Sequence, residues 1–435
     1  MKVRRLIVLL VIAAVLSFGT TLSPLAAGSN LAPIPQTATI PMLQGTTRTL
    51  AVAPGNQTSP HVACGLVSYT DDNLQGSSFI GYIDSAANME LSIPGTGHDR
   101  LSDTDGQKIA FTALGPSGDQ VFVYDLVSQI TTPIPGVNNA DPAVGGNLVA
   151  FVHGNVTASD IAVFDTSTLT TTQLTNDGLL NREPAMSPDG KVVVWEKCQS
   201  NGIGCDIYSA TQTGPGAFTT RRVTATGENR FPGTNGQVIA YISNKSSEND
   251  IYFQRVDGSN EMQLAMPGDQ RDLTISGRLI VFESKVGFWY DVFLYDLSSA
   301  RFYQVTDTAR NEMLNDVVAG CNGLNRIVYT TTGPFGDWDV WGIDFQLDAS
   351  IDEQLTDLTS VVQGFTSHDG TAKSLISKLQ DALVAINASD TATACDSLTA
   401  FINASQAQSG KKLTAGQVNQ LVDSATQIKS DLGCQ

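Results

Sequence analysis

The chain has 435 residues, with 43 acidic side chains against 25 Lys and Arg and a formal net charge of −18. That balance excludes generic electrostatic binding to nucleic acid, which needs a basic face to release counterions, and it argues against docking on anionic lipid. Charged residues make up only 16% of the sequence and there are 39 glycines, a composition that suits an exported all-β protein better than a disordered one.

The N-terminus reads as an export signal over residues 1–28. Lys2, Arg4 and Arg5 form a basic start, and Leu6 to Phe18 is an apolar run too short for a comfortable span. Small residues at Ala26-Ala-Gly28 suit cleavage, and no later segment is apolar enough to insert in a bilayer. A linker is expected at 29–46. The resulting expectation is a secreted or periplasmic protein.

From residue 47 to 347 short strands of one kind recur. They are LVSY (66–69), KIAF (108–111), LVAF (148–151), VVVW (192–195), VIAY (238–241), LIVF (279–282) and RIVY (326–329), spaced 40 to 47 residues apart. A second strand follows each after a turn, as in VFVYDL (121–126) and DIYFQR (250–255), and a third closes most repeats. This period predicts a β-propeller, because one small sheet cannot cover both of its faces but a ring of sheets packs each face on a neighbour. Counting repeats gives seven blades, with six as the alternative. The last repeat lacks an outer strand, and TRTLAV (47–52) is spare, so the N-terminal strand is expected to close the ring.

The six cysteines fit that ring. Cys64 and Cys321 precede the aromatic strands of the first and last repeats, which closure makes neighbours, so a Cys64–Cys321 bond is expected. Cys198 and Cys205 flank one turn and should staple it. An even count in an exported chain suits disulfides.

The fourth repeat carries Glu183-Pro-Ala-Met-Ser-Pro-Asp-Gly-Lys191, then VVVW, then Asp206-Ile-Tyr208. Asp160-Ile, Leu174-Thr175, Pro232, Asp250-Ile-Tyr252 and Asp105-Gly106 echo it in other repeats. With these residues the repeats resemble the TolB-type, WD-like propeller family over about 300 residues. That resemblance implies exported or periplasmic protein–protein recognition and no particular chemistry. Members often have six blades.

After Leu347 the periodicity becomes helical. Leu355, Leu358, Val362 and Phe365 make one stripe, and Leu375, Leu379, Leu383 and Ile386 a second. Cys395, Leu398 and Ile402 make a third, and Val418, Leu421, Ala425, Ile428 and Leu432 a fourth. Thr414 with Gln417 reads as a capping box. The spacing predicts a small antiparallel four-helix bundle over 351–435, with Cys395 bonded to Cys434 where neighbouring helix ends meet. Lys373-Ser-Leu-Ile-Ser-Lys-Leu379, Leu398-Thr-Ala-Phe-Ile-Asn403 and Gln408-Ser-Gly-Lys-Lys-Leu-Thr414 are similar to the FIMAH type of helical module in secreted bacterial proteins. What this implies is an extracellular accessory or attachment role.

Catalytic motifs are missing: there is no G-x-S-x-G elbow, no H-E-x-x-H and no phosphate-binding glycine loop. The four histidines, His61, His98, His153 and His368, do not pair at ligand spacing, so no metal centre, cofactor or catalytic residue is assigned. The acid pairs Asp103/Asp105 and Asp337/Asp339 admit a calcium reading through hard oxygen ligands, but Asp before Gly also builds tight turns. The stronger site candidate comes from aligning the repeats, since the first strand of each blade lines the channel. That alignment gathers Arg100, Asp141, Glu183, Asp272 and Asp316 at one channel mouth, with Arg182, Arg230 and Arg271 beside them.

The reading is a mainly β, non-enzymatic propeller that binds a protein, peptide or glycan through loops at the channel mouth. One rival is a secreted propeller enzyme, a carbohydrate lyase or hydrolase or a lactonase-like metalloenzyme, using channel carboxylates. Another is a cell-surface structural protein held through the helical module.

Overall fold

The computed structural model describes residues 40–434, with breaks at 74–75, 85–88, 116, 265, 286, 311, 322, 348–350 and 366–369. The expected signal segment 1–28 and residues 29–39 of the linker lie outside the described residues. The protein is mainly β and propeller-like, with helices at its C-terminus. It divides into two units, Ala27–Glu353 and a second containing Gln354–Gln435.

The β unit is a series of small antiparallel sheets. Four-stranded sheets span 55–92, 99–133, 229–263 and 270–304. The stretches 139–173 and 180–222 are each four-stranded too, and a single parallel bridge between Ser159 and Leu180 joins them into one eight-stranded sheet. The last sheet takes Met313–Cys321, Leu324–Thr332 and Trp338–Phe345 from one end of the unit and Gly45–Ala51 from the other. Thr47 lies opposite Ile343 and Thr49 opposite Trp341 in that pairing. The first strand of each sheet packs beside the first strand of the next, and Met313–Cys321 packs beside Gly55–Ala63, so the series returns on itself.

Burial explains why these segments are strands. In Val238–Ser243 every residue is buried, and Leu279–Lys285 is buried up to its last residue. Such near-continuous apolar runs belong to strands covered on both faces. Tyr69, Phe111, Phe151, Trp195, Tyr241 and Phe282 are among the largest wholly buried side chains. Several face an aromatic on the next strand, with centroids 5.7 Å apart for Phe111–Phe122, 6.0 Å for Trp195–Tyr208 and 6.2 Å for both Tyr241–Tyr252 and Phe282–Phe293. Such pairs add to area burial. The Trp195 indole N–H is satisfied by Asn181 Oδ1 at 3.1 Å.

In three of the four-stranded stretches a threonine holds the third strand. The backbone N–H groups of Ile161, Ile207 and Val292 donate to the hydroxyls of Thr175, Thr224 and Thr306, each at 2.9 Å. Cys64 pairs with Cys321 across 257 residues of sequence, and Cys198 with Cys205 across seven.

The C-terminal unit holds α1 (Ile351–Phe365), α2 (Gly370–Asn387), α3 (Thr391–Gln406) and α4 (Ala415–Asp431). Helix α2 packs on α3, and α3 on α4. Leu375, Leu379, Leu398, Phe401, Leu421 and Ile428 are buried. In α2 the buried stripe then runs through Ala382 and Ala385, while Leu383 and Ile386 are half-buried. Asp390 caps α3, accepting from Thr393 N, and Thr414 with Gln417 forms a complete capping box on α4. Cys395 pairs with Cys434. Among the described residues no helix is long and apolar enough to cross a membrane, and three disulfides suit an extracytoplasmic, oxidising compartment.

Loop length ranks the disulfides. By chain entropy the 257-residue loop closed by Cys64–Cys321 should contribute about 5 kcal/mol and the seven-residue loop about 2 kcal/mol. Denaturant unfolding of the Cys64→Ala/Cys321→Ala and Cys198→Ala/Cys205→Ala double variants should therefore show the larger loss for the first pair.

Candidate functional site

One backbone feature repeats at the middle of the ring. The pairing of first and second strands slips at Thr58/His61, Arg100/Asp103, Ala140/Ala143, Arg182/Ala185, Arg230/Gly233, Arg271/Leu273 and Leu314/Asp316. Six of these bulges hold a residue in the left-handed region: Ser59 (φ 49°), Leu101 (51°), Asp141 (55°), Glu183 (50°), Phe231 (50°) and Asp272 (43°). For side chains of this size that conformation costs about 1 kcal/mol or more each. A bulge of this kind re-aims the side chain, here at the same level of successive inner strands.

The expected site residues separate into three levels. Arg100, Arg182, Arg230 and Arg271 stand just before the bulge. Asp141, Glu183 and Asp272 occupy it, together with Phe231 and Leu101. Register puts Leu101 rather than Arg100 in this row, and Leu314, opposite Tyr329, rather than Asp316. Neither segment has the proline that follows Ser59, Asp141, Glu183 and Phe231 and marks the position there. Beyond the bulge lie His61, Asp103 and Asp316, while the equivalent places on the other strands carry Ala143, Ala185, Gly233 and Thr274.

The arginines are largely neutralised where they stand. Arg100 pairs with Asp119 at 2.8 Å, Arg182 with Glu196 at 3.1 Å and Arg271 with Glu283 at 2.5 Å. Arg271 also stacks on Tyr290 at 3.6 Å, and Arg230 donates to the Gly202 carbonyl at 3.2 Å. The same glutamates tie successive strands together. Glu196 Oε1 accepts the Phe231 N–H at 2.7 Å, and Glu283 Oε1 accepts that of Leu314 at 2.6 Å.

His61 is the histidine that spacing along the chain cannot find. Its Nδ1 lies 3.4 Å from Asp103 Oδ1 and 3.7 Å from Asp316 Oδ2, and the three groups could together hold a metal ion. The carboxylates are also anchored by backbone: Asp103 Oδ2 accepts from Val144 N at 2.6 Å and Asp316 Oδ2 from Val62 N at 2.9 Å. Thr274 adds its hydroxyl to Asp316 at 2.9 Å. His61 and Asp103 come from consecutive sheets, and Asp316 from the last sheet, which only the closure of the ring brings beside them.

Asp103 and Asp105 do not form a pair. Asp105 closes its own turn by accepting from Gln107 N and Lys108 N, and binds Lys108 Nζ at 2.5 Å. A separate cavity of about 300 Å³ is lined by Phe231, Asp272, Leu273, Met313, Leu314 and Asn315.

Electrostatics follow from this crowding. Burial works to lower the His61 pKa, but its hydrogen bond to Asp103 and the charges of Asp103, Asp316 and Asp141 outweigh it and raise the value to about 9. Burial raises Asp141, opposed by His61 and reinforced by Asp103 and Glu196. Burial, then the charges of Asp141 and Glu196, raises Glu183. Burial also raises Glu283 to about 7, against the Arg271 hydrogen bond, and raises Asp272 and Asp316. One histidinium thus faces several carboxyl groups, some of which hold protons above the ordinary carboxylate range.

No family model matches the chain, and no curated protein matches it. Solved structures do. The β-propeller domain of the Trilobed protease from Pyrococcus furiosus is 15% identical with a TM-score of 0.51, over 70% of this chain and 98% of that one. The acylaminoacyl peptidase of Pyrococcus horikoshii is 13% identical with a TM-score of 0.51, over 68% of this chain and 53% of that one. TolB from Acinetobacter baumannii is 15% identical with a TM-score of 0.39 over 68% of this chain. The chain thus spans about half the length of the whole peptidase. At these identities the likeness shows a β-propeller fold and no activity.

The raised values have one sign of consequence. A group whose pKa is higher folded than unfolded adds stability below its unfolded pKa and loses it as pH climbs through the folded one. Glu283 gives a window from about 4.5 to about 7, His61 one from 6.5 to about 9, and Asp141 and Glu183 act in the direction of Glu283. Thermal unfolding should therefore show a fall in stability from pH 5 to pH 9. Glu183→Gln should flatten the acid part of the profile, and His61→Gln the alkaline part.

Proposed function

We propose that this protein is an exported, non-enzymatic binding propeller that takes a basic, partly apolar segment of a protein or peptide partner at its channel mouth. The observation that carries the reading is the row of left-handed residues. Backbone strain is spent there on aiming Asp141, Glu183 and Asp272 beside Phe231, while three of the four nearby arginines are occupied by acids of their own. An incoming ammonium or guanidinium would offset the burial and the neighbouring negative charges that raise Asp141 and Glu183. The cavity by Phe231 and Met313 offers an apolar neighbour for the next side chain.

The architecture behind this reading is seven blades, each four-stranded stretch counting as one, with the N-terminal strand completing the last. The C-terminal helices are read as an antiparallel four-helix bundle of the FIMAH type, acting as an extracellular accessory module. A signal peptide over 1–28 would deliver the chain to the periplasm or beyond. A second reading, a metal-dependent hydrolase, is favoured by one observation: the ligand atoms of His61, Asp103 and Asp316 lie within 4.8 Å of one another.

Peptide arrays test the first reading. The mature protein should retain Lys- and Arg-containing amphipathic peptides over acidic ones, with retention falling as salt rises. The Asp141→Asn/Glu183→Gln variant, folded by near-ultraviolet dichroism, should bind about tenfold more weakly, a loss of about 1.4 kcal/mol. Equal retention by the variant, or a preference for acidic peptides, would sink the reading.

A further inference from the structure

The third strand of several sheets begins with an aspartate whose carboxylate is supplied with donors. Asp206 accepts from Thr224 Oγ1, Gly227 N and Asn229 Nδ2, each at 3.0 Å, and from Arg222 at 2.6 Å. Asp160 accepts from Thr175 at 2.9 Å and Gln173 at 3.2 Å. Asp250 accepts from Gln263 at 2.8 Å and from Ser246. Asp291 accepts from Thr308 N at 3.4 Å. Register makes Asp339 the equivalent residue of the last sheet, two positions before Trp341 as Asp206 is two before Tyr208.

Asp339 breaks the pattern. It is 0% exposed, and neither carboxylate oxygen has a hydrogen-bond partner. Directly opposite on the neighbouring strand stands Thr331, 8% exposed, whose hydroxyl is also buried without a partner. Opposed residues of an antiparallel pair share a face of the sheet. Two residues back, Asp337 Oδ2 accepts the Gly55 N–H at 2.7 Å, while Oδ1 is buried and unpartnered. Four buried oxygens on three neighbouring residues therefore have no hydrogen-bond partner.

Two further facts fit a built cradle. Gly333 lies so close that a Cβ there would fall 1.4 Å from Asp339 Oδ2, so the loop accepts this carboxylate only because it has no side chain at that position. The loop is closed by Gly333 N donating to the Asp337 carbonyl at 2.8 Å. Among the described residues no lysine, arginine or histidine pairs with either aspartate. Buried carboxylates without a partner are costly, and oxygen-only donors without nitrogen or sulfur suit a hard cation.

We propose that Asp337, Asp339 and Thr331 form a divalent-cation site of calcium type on the last sheet, beside the strand that closes the ring. The site is separate from the channel residues. Its position suggests its role: Asp337 also holds Gly55, where the closing strand turns into the first sheet, so a bound cation would tie the two ends of the β unit together.

The test uses the full mature chain. Terbium, a calcium surrogate, is titrated with excitation of tryptophan, since Trp338 lies between the two aspartates, and calcium is used to displace it. Thermal unfolding is followed in calcium, in magnesium and in EDTA. The expected result is terbium emission displaced by calcium and a Tm about 2–4 °C higher in saturating calcium than in EDTA. Asp339→Asn and Asp337→Asn should each weaken terbium binding roughly 10- to 100-fold and remove the Tm rise, whereas Asp257→Asn, in an exposed turn where Asp257 accepts from Ser259 N at 2.9 Å, should keep both. Thr331→Val, which leaves the charges in place, should weaken terbium binding less than either aspartate variant and carries the test if Asp339→Asn does not fold. No calcium-dependent rise in the unaltered protein would overturn the site and leave Asp339 as a buried, protonated acid. A rise that survives both aspartate substitutions would place the ion elsewhere and overturn it equally.

Discussion

A four-stranded sheet has two faces and cannot bury both by itself. The β unit solves this by setting each sheet against the next and returning the last to the first, so the whole arrangement rests on the seam where Gly45–Ala51 pairs with Trp338–Phe345. Without that strand, Trp338–Phe345 would present an open edge, with unpaired backbone groups and an aggregation hazard. The Cys64–Cys321 bond and the Asp316 bond to Val62 N cross the same seam. Two clusters of unpaired or crowded acids, around His61 and around Asp339, both lie near it.

The channel chemistry follows from the way inner strands are bent. Each bulge places a side chain at a set depth, and the residues on either side of it take different levels. Arginines before the bulge find acids on their own second strands, and those acids reach on to hold the next strand's backbone. Structure and charge are thereby coupled: the glutamates that neutralise the arginines are also the clamps between sheets. What stays uncompensated is the row at and beyond the bulge, where one histidine meets carboxyl groups from several sheets.

Much of the fold was legible in the sequence because its signals are local. An apolar strand ending in an aromatic, followed by a Gly- or Asn-rich turn and a second strand, recurs with a period that a reader can count. The helical stripes of α2 to α4 and the Thr414/Gln417 cap are equally local. The proline after the bulge residue at Pro142, Pro184 and Pro232 even marks the inner row. Where Ser102 and Asn315 stand in its place the marker fails, and the alignment slips by one residue at Arg100 and by two at Asp316.

The sequence by itself determined the strand repeat, the acidic balance and the candidates Asp141, Glu183 and Asp272, since each depends on neighbours within a few residues. Only the tertiary structure decided that His61 meets Asp103 and Asp316, because those residues lie 42 and 255 positions from it, the first brought in by the stacking of consecutive sheets and the second by closure of the ring. It alone decided that Arg182 and Arg271 are occupied by Glu196 and Glu283, and that Asp339 is left without a donor while Asp206 has four. Spacing along a chain encodes periodicity, but charge pairing and burial are set by which strands become neighbours in space.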